Sequence, residues 1–172
     1  MIPPPLEYAL QHPILGHPET ARPAMFEQIT HNEELLAISV RNDFAADGVH
    51  FFTPDDLSQQ LAYMHHPKGK IIEPHVHNSV QRSITYTQEV LIIKRGRLRV
   101  DFYDRARSYL HSRILNAGDI ILLAAGGHGF EILEELEMIE VKQGPYAGDS
   151  DKTRFAATSD TGSRLLNEHL TD

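Results

Sequence analysis

Short apolar blocks and polar–apolar alternation recur along most of the chain, and strands are the element this pattern favours. From Glu34 onward the first is Leu35-Leu36-Ala37-Ile38-Ser39-Val40. His50-Phe51-Phe52 follows after the turn pair Asp47-Gly48. Further blocks lie at 90–93, 109–114, 120–123 and 137–143. Lys94-Arg95-Gly96, Asn116-Ala117-Gly118-Asp119 and Gly126-Gly127 separate them. Many short strands with regular breaks predict an all-β antiparallel barrel or jelly roll. One helix is expected near its start. Thr53 suits a cap, Pro54 the first helical position, and Asp56 stands three residues after the cap. Leu57, Leu61 and Met64 make one apolar stripe, and the helix should stop near His66, before Pro67 and Gly69.

The same pattern divides the chain. Residues 1–68 read as an arm, strands and one helix packed on a barrel; 69–144 as the barrel; and 145–172 as a polar tail. Pro3-Pro4-Pro5, Pro13, Pro18 and Pro23 mark residues 1–24 as an extended arm, and 164–170 could form a short helix. A length of 172 residues fits a single domain with a sizeable core. The net charge of -8 argues against nonspecific binding to nucleic acid or anionic lipid, and no DNA-binding module is recognisable. There is no cysteine, so neither a disulfide nor a thiolate metal ligand is available. The N-terminus has no basic region followed by an apolar stretch, and the longest apolar run, 120–125, is too short to cross a bilayer. A cytoplasmic protein is expected.

Candidate chemistry centres on His75-Val76-His77. Two histidines at i and i+2 on a strand point to one face, where both imidazoles can reach one ion. Glu89 opens the apolar block at 90–93, and His128 follows Gly126-Gly127. Three imidazoles and a carboxylate are an ordinary ligand set for a divalent transition metal.

Gly69, five residues, His75-x-His77, eleven residues, Glu89, six residues and Gly96 form one frame. Gly118-Asp119, an apolar block and Gly126-Gly127-His128 form a second. This resembles the two sequence motifs of the cupin superfamily, small β-barrels with a metal at the barrel mouth, over residues 69–144. The resemblance implies that His75, His77, Glu89 and His128 hold one divalent ion: Fe, Mn, Ni or Zn. Two features depart from the family pattern. Eleven residues separate His77 from Glu89 where cupins have three or four, and Ala124 stands where a proline is usual, one residue short of the family spacing. Glu89 is the only carboxylate in that gap, and Glu73 is the alternative. Residues 140–146 and 151–155 resemble small cupins of surface-polysaccharide and sugar-nucleotide pathways. That implies a small polar metabolite as substrate, a sugar derivative, with isomerase- or epimerase-type chemistry. A non-catalytic metal- or ligand-binding cupin and an Fe(II) dioxygenase are the alternatives. Cupins are commonly dimers, and a homodimer with residues 1–52 at the interface is expected.

Around this set, Arg82 and Tyr86 are candidate catalytic residues. Arg82 would pair with an anionic substrate group, and Tyr86 would donate a proton, both from a loop at 78–88 overhanging the metal. A packed Tyr86 and a solvated Arg82 are the plain alternatives. Gln88 alternates with Glu89 and reads as a strand-packing residue or as one that supports the metal ligands from behind. Glu140 and Lys142 share one strand face, which alternation favours as the solvated one. The basic hairpin at 94–99 reads as a solvated turn rather than a phosphate site. His111 reads as an exposed strand residue, His65 and His66 as surface residues, and His12, His17, His31, His50 and His169 have no partner spacing.

Overall fold

The computed structural model describes residues 25–145 and 147–157. The proline-rich arm and the possible helix at 164–170 lie outside the described residues. Within them the fold is all-β with antiparallel pairing, and no α-helix is present. The strands are β1 (Phe26–His31), β2 (Glu34–Val40), β3 (Gly48–Phe51), β4 (Ala62–His65) and β5 (Glu89–Arg95). After them come β6 (Arg97–Tyr103), β7 (Tyr109–Asn116), β8 (Ile120–Leu123), β9 (Gly127–Ile132) and β10 (Glu137–Lys142). One 3-10 turn follows at Gly148–Asp151.

Three sheets result. A five-stranded sheet runs β1-β2-β8-β5-β10, a three-stranded sheet runs β7-β6-β9, and β3 pairs with β4 alone. Alternation decides which face each side chain takes. On β5, Leu91 and Ile93 point one way and join Ile29, Leu36, Ile121 and Leu123. The same cluster contains Leu98, Val100 and Phe102 of β6 and Leu115 of β7, so the two larger sheets face each other across one core. Val90 points the other way, into a second cluster with Ile38, Val40, Phe52 and Leu122. Phe44, Leu57, Leu61 and Tyr63 pack onto that outer face.

The helix expected over 53–66 does not form. The Thr53 hydroxyl donates to Gln60 Oε1 at 2.9 Å and accepts the Leu61 N–H at 3.2 Å, so it closes a loop instead of capping a helix. The Phe52 N–H meets the Leu61 carbonyl at 2.9 Å. The chain then continues as β4 against β3, Phe51 opposite Ala62 and Gly48 opposite His65. Leu57 and Leu61 reach the outer cluster from this loop, whereas Met64 stays exposed. The sheet face needs a broad cover, and tertiary packing overrides the local cap-and-stripe signal. β1 had no clear sequence signal because only Ile29 of its six residues is buried.

One flank of the two facing sheets is tied together. Arg113 of β7 donates to Glu27 of β1 at 2.8 Å, and that contact holds the Glu27 carboxyl below the usual carboxylate range. β9 and β10 are the edge strands on the other flank. The basic hairpin is solvated at Lys94 and Arg95, as its sequence suggested, whereas Arg99 is buried against Asp101. Arg95 meets Glu135 at 2.9 Å, Arg97 meets Glu134 at 3.4 Å, and Lys94 meets Glu137 at 3.7 Å.

Candidate functional site

Between the β9 and β10 edges lies a cavity of about 900 Å³. Glu89 is the first residue of β5 and stands between Leu123 of β8 and Lys142 of β10. His128 is the second residue of β9, opposite Phe102. Across the cavity wall Glu89 Oε2 and His128 Nε2 are 3.2 Å apart. The hydrogen bond from His128 holds the Glu89 carboxyl below its usual range, against the opposing effect of burial. Lys142 Nζ lies 3.8 Å from Glu89, 3.3 Å from Glu140 and 3.8 Å from Asp151. The bond to Glu140 raises the Lys142 pKa above the ordinary lysine value.

Glu140 and Lys142 therefore face the site, and the solvated reading of that strand face is corrected. The register decides it. Glu140 sits opposite Leu91 and Lys142 opposite Glu89, both of which line the cavity. Ile139 and Val141, which looked like the buried face, are about half exposed. An edge strand next to a polar cavity inverts the usual inside-apolar rule.

The candidate ligands come in two pairs. His75 and His77 lie in residues 66–88, which carry no strand, so the expectation that both ride one strand fails. Their rings still meet edge to face, with centroids 5.3 Å apart. The His75 Nδ1 faces the Glu73 carbonyl at 3.0 Å, which leaves Nε2 as the ligand atom. The donor chemistry of both pairs suits a divalent metal, but among the described residues no three His, Asp or Glu side chains are gathered as a metal shell. Glu73, the alternative carboxylate, is exposed beside His75.

Tyr86 lines the cavity. Its hydroxyl accepts a hydrogen bond from Arg105, whose guanidinium carbon is 4.3 Å from the ring centroid. Arg105 is held in turn by both oxygens of Glu34, with Nε 3.1 Å from each. Nothing in the sequence linked Arg105 to Glu34, because the two are 71 positions apart. Arg82 stands in the exposed segment and is not among the cavity-lining residues. Gln88 is buried and tied to Ser58, Gln59 and Gln143, in keeping with a packing role. His111 is partly buried, not exposed as expected. Its ring lies 5.3 Å from Phe102 across β6 and β7, away from the cavity. Burial lowers its pKa. His65 pairs with Asp47 at the exposed end of β4, a surface role.

Comparison with known proteins gives no match to any family model, curated protein or solved structure. Among the described residues no helix is long and apolar enough to cross a membrane.

Proposed function

We propose that the cavity binds a small polar metabolite and that the chain is a metal-dependent enzyme of the cupin type, with a jelly-roll barrel as its finished fold. The observation that carries this is the Glu89–His128 pair, with Lys142 beside it, set into the cavity on the β9–β10 flank of the sheets. A carboxylate, an imidazole and an ammonium drawn from three strands contribute little to folding, since burying charge costs desolvation that pairing only offsets. Such groups in a cavity are the usual mark of a site.

His75 and His77 complete the set if residues 70–77 lie along the outer edge of β9, which among the described strands pairs only with β6. Two observations support that placement. Ile71, Ile72 and Val76 of this segment are exposed, an unfavourable arrangement for three large apolar side chains. The free edge of β9 also offers unpaired backbone groups beside His128. A divalent ion held there would act as a Lewis acid on a substrate oxygen. The chain's own groups do the rest. Tyr86, fixed by Arg105, presents a hydroxyl that can hold or pass a proton, and His128, with Lys142 in support, keeps Glu89 ionised. A sugar derivative undergoing isomerisation or epimerisation fits a site with one proton-passing hydroxyl in a polar cavity. A homodimer is proposed on the strength of the N-terminal segment that a small barrel does not require.

The test is metal content of tag-free protein, loaded with Mn, Fe, Ni or Zn and measured by mass spectrometry. One ion per chain is expected, with loss in Glu89→Gln with His128→Ala and equal loss in His75→Ala with His77→Ala. If the second double variant retains the ion at full content, the four-ligand reading is wrong. Failure of the wild-type protein to bind any of the four metals would overturn the metal-dependent function.

A further inference from the structure

The far wall of the cavity carries a feature that the metal reading does not use. Arg107 lies in the turn between β6 and β7 with φ +70°, a left-handed conformation that an arginine rarely adopts. The turn is closed by the Arg107 N–H on the Asp104 carbonyl and by the Asp104 N–H on the Ser108 carbonyl, both at 3.0 Å. Glycine or asparagine would satisfy this backbone at lower cost, so the arginine side chain is what the position retains. That side chain lines the cavity, with its guanidinium carbon 5.8 Å from the Phe155 ring centroid. No carboxylate among the described residues is within ion-pair distance of it.

Phe155 is anchored independently. It packs edge to face on Tyr103, centroids 5.1 Å apart, and so holds residues 152–155 against the cavity. Lys152 and Arg154 therefore line the cavity with Arg107. The cavity carboxylates Glu89, Glu140 and Asp151 all lie against the single ammonium of Lys142, and Glu89 also meets His128. The cavity thus holds both acidic and basic groups, and Arg107 is a cation in it with no carboxylate beside it.

We infer that Arg107, with Lys152 and Arg154, forms a subsite for the anionic group of the ligand, a phosphate or a carboxylate. A planar guanidinium in a fixed turn can offer two parallel N–H donors to two anionic oxygens, and the Phe155 face limits where it can swing. The inference rests on the cavity being the ligand site, and it narrows the substrate class to small polar metabolites with an anionic end.

The test titrates inorganic phosphate, pyrophosphate and acetate into the full chain, followed by calorimetry and by amide chemical shifts. Saturable binding is expected, with shifts at Arg107, Lys152 and Phe155. The acetate arm decides between phosphate and carboxylate. Arg107→Gly relieves the backbone, so its melting temperature should equal or exceed that of the wild type while anion affinity falls at least about tenfold. Absence of saturable binding up to the order of 10 mM, or unchanged affinity in Arg107→Gly, overturns the subsite. Metal content is measured on the same samples. Wild-type protein that holds metal but binds no anion sinks this inference alone, and wild-type protein that binds neither sinks the functional reading as well.

Discussion

Substituting Gly126 by alanine tests how the turn before His128 is built. Gly126 has φ +71°, and a Cβ there would lie 2.8 Å from the Tyr103 carbonyl oxygen and 2.8 Å from Leu36 Cδ2. The Leu36 methyl can rotate away. The Tyr103 carbonyl cannot, because Tyr103 ends β6 and pairs with Gly127. Gly48 supplies the control, with φ +84° and no atom within 4 Å of the position a Cβ would take. Gly48→Ala therefore reports the left-handed backbone alone, about 1–2 kcal/mol. Gly126→Ala adds an overpacking cost of about 1–3 kcal/mol, for a total of about 2–5 kcal/mol. Urea denaturation followed by far-ultraviolet circular dichroism is the suitable assay, since the chain has no tryptophan. A difference between the two variants of less than about 0.5 kcal/mol would refute the close contact with Tyr103, because backbone cost alone would then account for both. If the contact is real, the shift it forces also moves His128 relative to Glu89, and the alanine variant should weaken the metal binding proposed above.

Two further outcomes follow from the ion pairs. The folded pKa of Glu27 lies below its unfolded value because of Arg113, so the pair contributes fully above about pH 4.3 and is lost as pH falls through the folded value. Since both side chains are more than a third exposed, Glu27→Gln should cost only about 1 kcal/mol at pH 7 and almost nothing at pH 3, read from urea midpoints at both pH values. Asp101 is buried and accepts from Arg99 at 2.7 Å, with Ser112 also donating to it. Asp101→Ala strands the buried guanidinium and should cost about 3 kcal/mol at neutral pH, whereas a loss under about 1 kcal/mol would mean that Glu131 alone satisfies Arg99.

The strand content and the turns were legible because they rest on local chemistry, whereas Glu89 and His128 were brought together beforehand only by the resemblance of their motifs. Alternation fixes which side chains share a face, and glycine pairs mark the bends whatever the surroundings. Other features depended on elements that meet only after folding. The cap-and-stripe signal at 53–66 was a sound local preference, yet the outer face of the five-stranded sheet drew Leu57 and Leu61 into a loop. Glu140 and Lys142 were known to share a face, but only the register of β10 on β5 placed that face at the cavity. Arg105 finds Glu34, and Phe155 finds Tyr103, across long sequence separations that no periodicity encodes. The chain alone thus determined which residues can act together, and the packing of one sheet edge against another decided which of them meet.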